Sequence, residues 1–448
     1  MDRRLLDALS RHPQIHDWTA RRQRGHSVQL YLVGGAVENV RHVEREAYEV
    51  ELFNDHQLDR EPRRGSASLP MSRADLDRLD ELLDDGALMA SLVNNEPWTL
   101  PDRTEPPDVS LADPALANPE QAERAALDTA QLIRGLAADA GGDDVRLSSA
   151  ELFISLVEEE IRNSRGLEAT SSGTRLMFEL TLLARGSDAE TEFFGQGEAR
   201  RLDDLGIERT VADGARLARD KLSAQMPATR IGPVVVSDEA LAQTMGGTAV
   251  TSTGAFLTQA SAASAYAKLS RLEVGAPIHG DGDVAGDLLT VRANARLPYG
   301  VMSYRFDPDG VAAHDVLVVE EGILRARPAT QRYGQYLGLP ITGRAGMLQI
   351  GPGSTPFADL LDGDEPVCHV LAFSAPNVDA LTGDFGMEIR IGYERGPSGT
   401  RPISGGSVTG NLFDALSDVR LASETRQIAS TQGPSGMRFG KLQITGRD

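Results

Sequence analysis

LTGDFGMEIRIGYERGPSGTRPISGGSVTGNLFDALSDVR, residues Leu381 to Arg420, carries the densest structural signal in the chain. It opens on a turn at Thr382, Gly383 and Asp384. It then alternates, with Ile389, Ile391 and Tyr393 on one face and Glu388, Arg390 and Glu394 on the other, and turns again between Gly396 and Gly399. Period-two alternation between turn residues is the mark of a half-buried strand. A glycine-punctuated segment, ISGGSVTG, follows, and Asn411, Leu412, Phe413, Ala415 and Leu416 then fall at helical spacing. The predicted order is strand, loop, strand, short helix. Glycines ahead of a helix let backbone or ligand approach closely, but GGSVTG misses the G-x-S-x-G nucleophile spacing by one residue and no P-loop lysine follows. Turns within a sheet and a binding loop both remain open as readings of Gly405 and Gly406.

Outward from this stretch, 448 residues exceed one ordinary core and predict two domains. An apolar fraction of 40% with 5% aromatic residues and 45 glycines favours a loop-rich sheet protein. The formal charge of −21 repels phosphate backbones and anionic lipid, which argues against nucleic acid or membrane as partner. The arginines of the first 24 residues are diluted by Asp2, Asp7 and Asp17 and read as a solvated helix. No apolar run follows them and none later approaches a membrane span, so the expectation is a soluble, cytoplasmic protein. The one cysteine, Cys368, excludes an internal disulfide framework. Its setting, PVCHVLAF, reads as a buried strand with an inert thiol.

Read in order, a helix carrying Leu5, Leu6 and Leu9 precedes three β-rich segments, VQLYLV, VENVRHV and YEVELF, which suggest a meander turning at Gly34-Gly35. Ser72 and Asp75 are placed to cap a helix bearing Leu76, Leu79, Leu82 and Leu83. Prolines from Pro97 to Pro114 make a non-helical connector. Asn118 caps a second helix, with Pro119 in its first turn and Gly141-Gly142 at its end. Strands are expected at Leu152–Val157 and Leu176–Leu183, and a helix over roughly Asp203–Gln225. The step Pro227–Pro233 is the best boundary, dividing residues 1–226 from 233–448. Beyond it lie LLTVR, HDVLVV, GILRARP, VCHVLAF, EIRIGY and FGKLQIT. The fold class is therefore α+β: an N-terminal domain of antiparallel sheet with helices, then an antiparallel, barrel-like β domain.

The run GDF…EIRIGY…RPISGGSVTGNLFDAL resembles the C-terminal signature of the TldD/PmbA family of peptidase subunits, whose PmbA member is also called TldE. NSRGLEAT (Asn163 to Thr170), YRFDPDGVAAHDVLVVEEGIL (Tyr304 to Leu324) and IGPGSTPFADLL (Ile350 to Leu361) resemble further blocks of that family in the same order. In its catalytic branch, a helix after the boundary carries H-E-x-x-x-H and a later cysteine completes a zinc site. Two imidazoles one turn apart hold the metal, the metal acidifies a water, and the glutamate serves as base. Here the corresponding stretch is VVVSDEALAQTMGGTAVTSTG. The ligand and base positions fall near Met245, Gly246 and Val250, and the closing segment has no cysteine. No histidine occurs between Phe194 and Ile278.

The resemblance thus implies a PmbA/TldE-like subunit with no catalytic residue and no metal of its own. Its implied partner is a TldD-like catalytic subunit carrying Zn2+ in a heterodimer that admits extended or unfolded peptide. Housekeeping proteolysis and maturation of peptide natural products are both compatible with it. An exposed strand edge binds peptide main chain without reading much sequence. The strand from Phe385 to Glu394 and the loop GGSVTGN are the candidate surface, with Asp384, Arg390, Gly405, Gly406, Ser407 and Asn411 as substrate- or partner-facing residues.

Other metal readings are weaker. His12 and His16 are four apart but flank Pro13 and read as a surface-helix pair, though a homodimer with metal on these histidines is a distinct hypothesis. His279, His314 and His369 are isolated in sequence. HGDGDVAGD (His279 to Asp287) lacks the ladder and terminal glutamate of a calcium loop. Asp307 and Asp309, in RFDPDG, read as a turn whose side chains bond their own backbone. Two further alternatives stand beside the subunit reading: an autonomous hydrolase with an unfamiliar site, and a structural or regulatory binding protein.

Overall fold

A computed structural model describes residues 1–246, 254–279, 283–397 and 399–447. The chain first builds a six-stranded antiparallel sheet from β1 (Asp17–Val33), β2 (Ala36–Leu58), β3 (Glu61–Ser72), β4 (Val145–Asn163), β5 (Glu168–Arg185) and β6 (Glu190–Ala199), in the order β3-β2-β1-β4-β5-β6. Gly34 and Gly35, at φ +55° and +80°, form the two-residue turn joining β1 to β2, where only residues tolerant of positive φ match the sheet's twist. VENVRHV and YEVELF, expected as separate segments, belong to this one 23-residue strand β2. No glycine or proline lies between them to interrupt the ladder, so it runs through the solvated residues.

Helices cover this sheet where their apolar stripes demand it. α1 (Arg3–Arg11) and α2 (Leu79–Ser91) bury Leu5, Leu9, Leu83 and Ala87 against Val50, Leu52 and Leu69. Ser72 donates its backbone N–H to Asp75 at 2.7 Å, but the anticipated Ser72 cap is not formed: a 3-10 helix begins after Arg73 with no side-chain cap, and α2 follows it. α3 (Pro119–Gly141) and α4 (Ile207–Lys221) bury Ala126, Ile133, Val211 and Ala215 on the alternating residues Leu152, Ile154, Phe178 and Leu180. Asn118 caps α3 by accepting from Gln121 N–H at 3.0 Å.

From Arg230 the chain changes architecture. β7 (Arg230–Ser237) runs directly into α5 (Asp238–Met245). The strands that follow are β8 (Val291–Asn294), β9 (Asp315–Glu320), β10 (Ile323–Leu324), β11 (Met347–Ile350), β12 (Val367–Ser374), β13 (Asp384–Gly396), β14 (Gly399–Ile403), β15 (Ser407–Asn411), β16 (Val419–Leu421), β17 (Thr425–Ile428), β18 (Thr431–Pro434) and β19 (Gly436–Thr445). One sheet orders β10-β9-β8-β11-β18-β17. The other runs β12-β7-β19-β15-β13, and a further β12–β13 ladder closes it on itself as a barrel. The anticipated α+β class and barrel-like second half agree with this. Within the antiparallel pattern, β7–β12 and β11–β18 are parallel pairs. Pro233 sits inside β7 where the β19 ladder slips between Phe439 and Leu442, a place where a missing N–H does little harm.

Val234, Val236, Cys368, Val370, Met387, Ile389, Val408 and Phe439 fill the barrel, in one core with Leu241 and Met245 of α5. The apolar face expected for β13 divides. Ile389 enters the barrel, whereas Ile391 packs outside it on Leu217 of α4, Leu371 and Ala372, with Tyr393 beside them. The cause is a pair of register shifts in the β12–β13 ladder, at Val370/Ala372 and at Ala372/Phe373, the second of which falls between Ile391 and Ile389.

The two halves are sewn together by Arg200, just after β6. Its guanidinium is 6% exposed and donates to the carbonyls of Thr174 (3.1 Å), Gly300 (2.8 Å) and Ser303 (2.9 Å). Burial lowers its pKa to about 10, so it stays charged at neutral pH. The proline-rich connector adds a second seam, with Thr99 N–H donating to Gln335 Oε1 at 2.9 Å.

Candidate functional site

Asn411 is a structural hub. Its Oδ1 accepts from Phe413 N–H (3.1 Å) and Asp414 N–H (3.3 Å), capping the short helix Leu412–Ala415. Its amide donates to Thr382 O and Asp384 Oδ1, both at 2.8 Å. That bond holds the exposed Asp384 carboxyl below its ordinary pKa. Gly405 and Gly406, at φ +78° and +71°, make the turn between β14 and β15, and a Cβ on Gly406 would lie 2.4 Å from Thr445 O. The turn accounts for both glycines, each of which takes positive φ, and at Gly406 close backbone packing adds to it. Ser407 lies inside the ladder, opposite Glu388 and Thr445.

The expected free edge at Phe385–Glu394 is corrected. β13 pairs with β12 along one side and with β15 and then β14 along the other, so its hydrogen-bonding groups are already engaged. Arg390 is separated from Asp384 and Asn411 and lines a cleft, ion-paired with Glu239 of α5.

At the end of α5, Met245 is fully buried in the core. Gly246 closes the helix through its N–H to Ala242 O at 2.8 Å. A Cβ there would lie 2.0 Å from Thr431 Oγ1, so no larger side chain fits without rearrangement. Val250 lies outside the described residues. These positions do not fit a zinc ion: a thioether and a glycine supply no imidazole or carboxylate. Among the described residues, no group of three or more His, Cys, Asp or Glu could hold a metal. His12 and His16 are not on a helix, because α1 ends at Arg11. His12 Nε2 is 3.0 Å from Asp84 Oδ1, and His16 Nδ1 accepts from Asp55 N–H at 2.8 Å. In HGDGDVAGD, residues 280–282 lie outside the described residues, and Asp287 accepts from Leu421 N–H at 2.8 Å. Asp307 is the turn former anticipated, accepting from Asp309 and Val311 N–H, both at 2.9 Å.

A cleft of about 650 Å3 lies between β6, α4, the start of α5 and the outer face of β12 and β13. His369 on its wall is 4% exposed. Burial first, then the nearby Arg395 charge, lowers its pKa to about 4, so the ring is neutral. Its Nε2 is 2.8 Å from Ser237 Oγ, and Ser237 Oγ is 2.7 Å from Asp238 Oδ2. Burial works to raise the Asp238 pKa, but Arg426, Ser237 and Arg209 outweigh it and keep the carboxylate ionised. An ionised carboxylate only accepts, so Ser237 donates to Asp238 and His369 Nε2–H donates to Ser237. Nδ1 is then a bare lone pair, buried and without a partner among the described residues. Such a pair cannot activate Ser237, since a general base must accept the hydroxyl proton. Cys368, the next residue, is fully buried and its thiol is pushed up to about 12 by burial, which makes it inert.

In the sequence, Tyr393 falls on an alternating face, His369 stands as an isolated histidine and Arg395 is not singled out. The signal for two of them was available, because Ile391, Tyr393 and Arg395 alternate on one face of β13. Pairing with His369 depends on a ladder that no local pattern announces.

Comparison with known proteins identifies this six-stranded sheet and closed barrel as a metallopeptidase-like fold. Residues 229–446 match the family described as the PmbA/TldA metallopeptidase C-terminal domain. This region is thus a TldD/PmbA-type C-terminal domain. It is 25% identical over 362 residues to the metalloprotease PmbA of Escherichia coli O157:H7, covering 76% of this chain and 73% of that protein. An uncharacterized protein of Methanocaldococcus jannaschii is 24% identical over 171 residues, 36% of this chain and 40% of the relative's length. The crystal structure of TldE from Thermococcus kodakarensis superposes with a TM-score of 0.79 at 14% identity, covering 96% of this chain and 97% of that one.

Proposed function

We propose that this chain is the metal-free, PmbA/TldE-like subunit of a heterodimeric zinc metallopeptidase acting on unfolded peptides or on peptide natural-product precursors. The observation that carries this reading is the end of α5, where Met245 is sealed in the core and Gly246 abuts Thr431. Hydrolysis of an amide at neutral pH needs an activated water, which a metal bound in an open site supplies. In this proposal a TldD-like partner provides that metal, and this chain contributes surface for binding peptide.

The test is co-expression with a TldD-like chain carrying H-E-x-x-x-H, followed by copurification, zinc analysis and cleavage of an unstructured peptide. The expected result is chelator-sensitive cleavage by the pair and none by this chain alone. Chelator-resistant cleavage by the isolated chain, or one zinc bound per isolated chain together with turnover, would overturn the proposal.

A further inference from the structure

We infer that the cleft between β6, α4 and the outer face of β12 and β13 binds the C-terminal residue of a peptide, with its carboxylate on Arg395 and its amide N–H on Nδ1 of His369. The inference rests on the reading of the chain as a peptide-handling subunit, and it assigns the end of the peptide this subunit holds.

Charge bookkeeping within the cleft isolates one cation. Arg209 and Arg216 bond Asp213 at 3.3 and 3.1 Å, while Arg390 pairs with Glu239 and Arg426 with Asp238. Arg395 lines the same cleft, yet among the described residues it meets no carboxylate, and its buried Nε has no acceptor. A guanidinium partly withdrawn from water favours a planar anion that it can bind through two parallel N–H groups. Its guanidinium lies toward the Tyr393 ring, 5.9 Å from Cζ to the centroid.

Two other buried atoms of the cleft lack a partner among the described residues, Glu198 Oε2 and His369 Nδ1, and both call for a donor. His369 Nδ1 accepts and has no donor. The ladder pairs Val367 with Arg395 and His369 with Tyr393, so His369 and Arg395 are diagonal neighbours on adjacent antiparallel strands, roughly 7–8 Å apart at Cα. Long side chains close much of that distance. An anion and an N–H donor separated by one tetrahedral carbon is what the last residue of a peptide presents. Phe193, Leu371 and Ile391 form an apolar wall suited to that residue's side chain. A volume of about 650 Å3 falls within the usual range of small-ligand pockets. An inorganic anion would satisfy Arg395 but leave the apolar wall bare.

Calorimetric titration of the full chain, without a partner or zinc, tests this. The ligands are acetyl-Ala-Ala-Leu as free acid, the same peptide as C-terminal amide, the free acid with an ester replacing its last amide, and inorganic phosphate. Free acid is expected to bind, with the amide roughly 10- to 100-fold weaker and the ester also weakened, as loss of charge-assisted and buried hydrogen bonds implies. Arg395→Gln should erase the difference between acid and amide while leaving the unfolding midpoint close to wild type. Should it misfold, Arg395→Lys, which keeps charge but loses the fork, should narrow the difference, and the ligand series on wild type stands on its own. Equal binding of acid and amide, no binding of the acid, or phosphate binding as tightly as the acid would each overturn the inference. None of these outcomes involves turnover, so the subunit reading keeps its separate test in the assembled pair.

Discussion

Gly246 reverses the usual rule for glycine at the end of a helix. Alanine in its place ordinarily helps, by removing conformational freedom from the unfolded chain. Here φ is −99°, which any residue adopts, so the obstacle is Thr431 Oγ1 at 2.0 Å from an added Cβ. Gly246→Ala is expected to destabilise by about 1–3 kcal/mol, the cost of overpacking a filled core. Thr431→Ala removes the colliding hydroxyl and should restore most of that loss in the double variant, measured as coupling in urea-unfolding midpoints. Additive losses would show that the collision is not the cause. The same contact bears on function, since restoring a histidine near this position would first require Thr431 to be cleared.

Among the elements, β13 and the short helix Leu412–Ala415 carry the sharpest contrast between pattern and role. Asn411 was read as facing a ligand or partner, and its polar atoms are spent on capping and on tying the turn at Thr382 to Asp384. Asn411→Ala is therefore expected to cost roughly 1–2 kcal/mol in chemical unfolding, as loss of a helix cap does. Unchanged stability would return Asn411 to the list of exposed recognition residues. The sequence disclosed β13 because strand alternation and flanking turns are local, and it disclosed α3 because Asn118 and Pro119 mark its start. It concealed the closure of the barrel, since the β12–β13 and β7–β19 ladders join residues that no local period links. It concealed the cleft for the same reason: Arg395 and His369 become neighbours only once those strands pair.

On the scale of the whole molecule, the seam between the halves holds a titrating group. Glu51 of β2 shares a small cavity with Asp309 of the second half. Burial first, then the charges of Asp309 and Glu49, raise its pKa from 4.5 to about 7, against the opposing pull of Arg332 and Arg21. A carboxyl that holds its proton more tightly when folded contributes stability at low pH that is lost as pH rises from the unfolded value through the folded one. Glu51→Gln should thus equal wild type in relative stability below about pH 4.5 and gain on it progressively toward about pH 7. Unfolding midpoints for both proteins at about pH 5 and about pH 8 measure the change, and a gap that does not widen with pH would refute the assignment.

The ring of strands also constrains how the protein is made. β7 lies between β12 and β19, and β19 is translated about 200 residues after it. At elongation speeds of about 5–20 residues per second, the apolar strand Val234–Val236 waits on the order of 10–40 s on the ribosome for β19. Until β19 emerges, one edge of this apolar strand stays open in the nascent polypeptide even once β12 has paired with the other, which makes synthesis a stage at which the chain is exposed to aggregation.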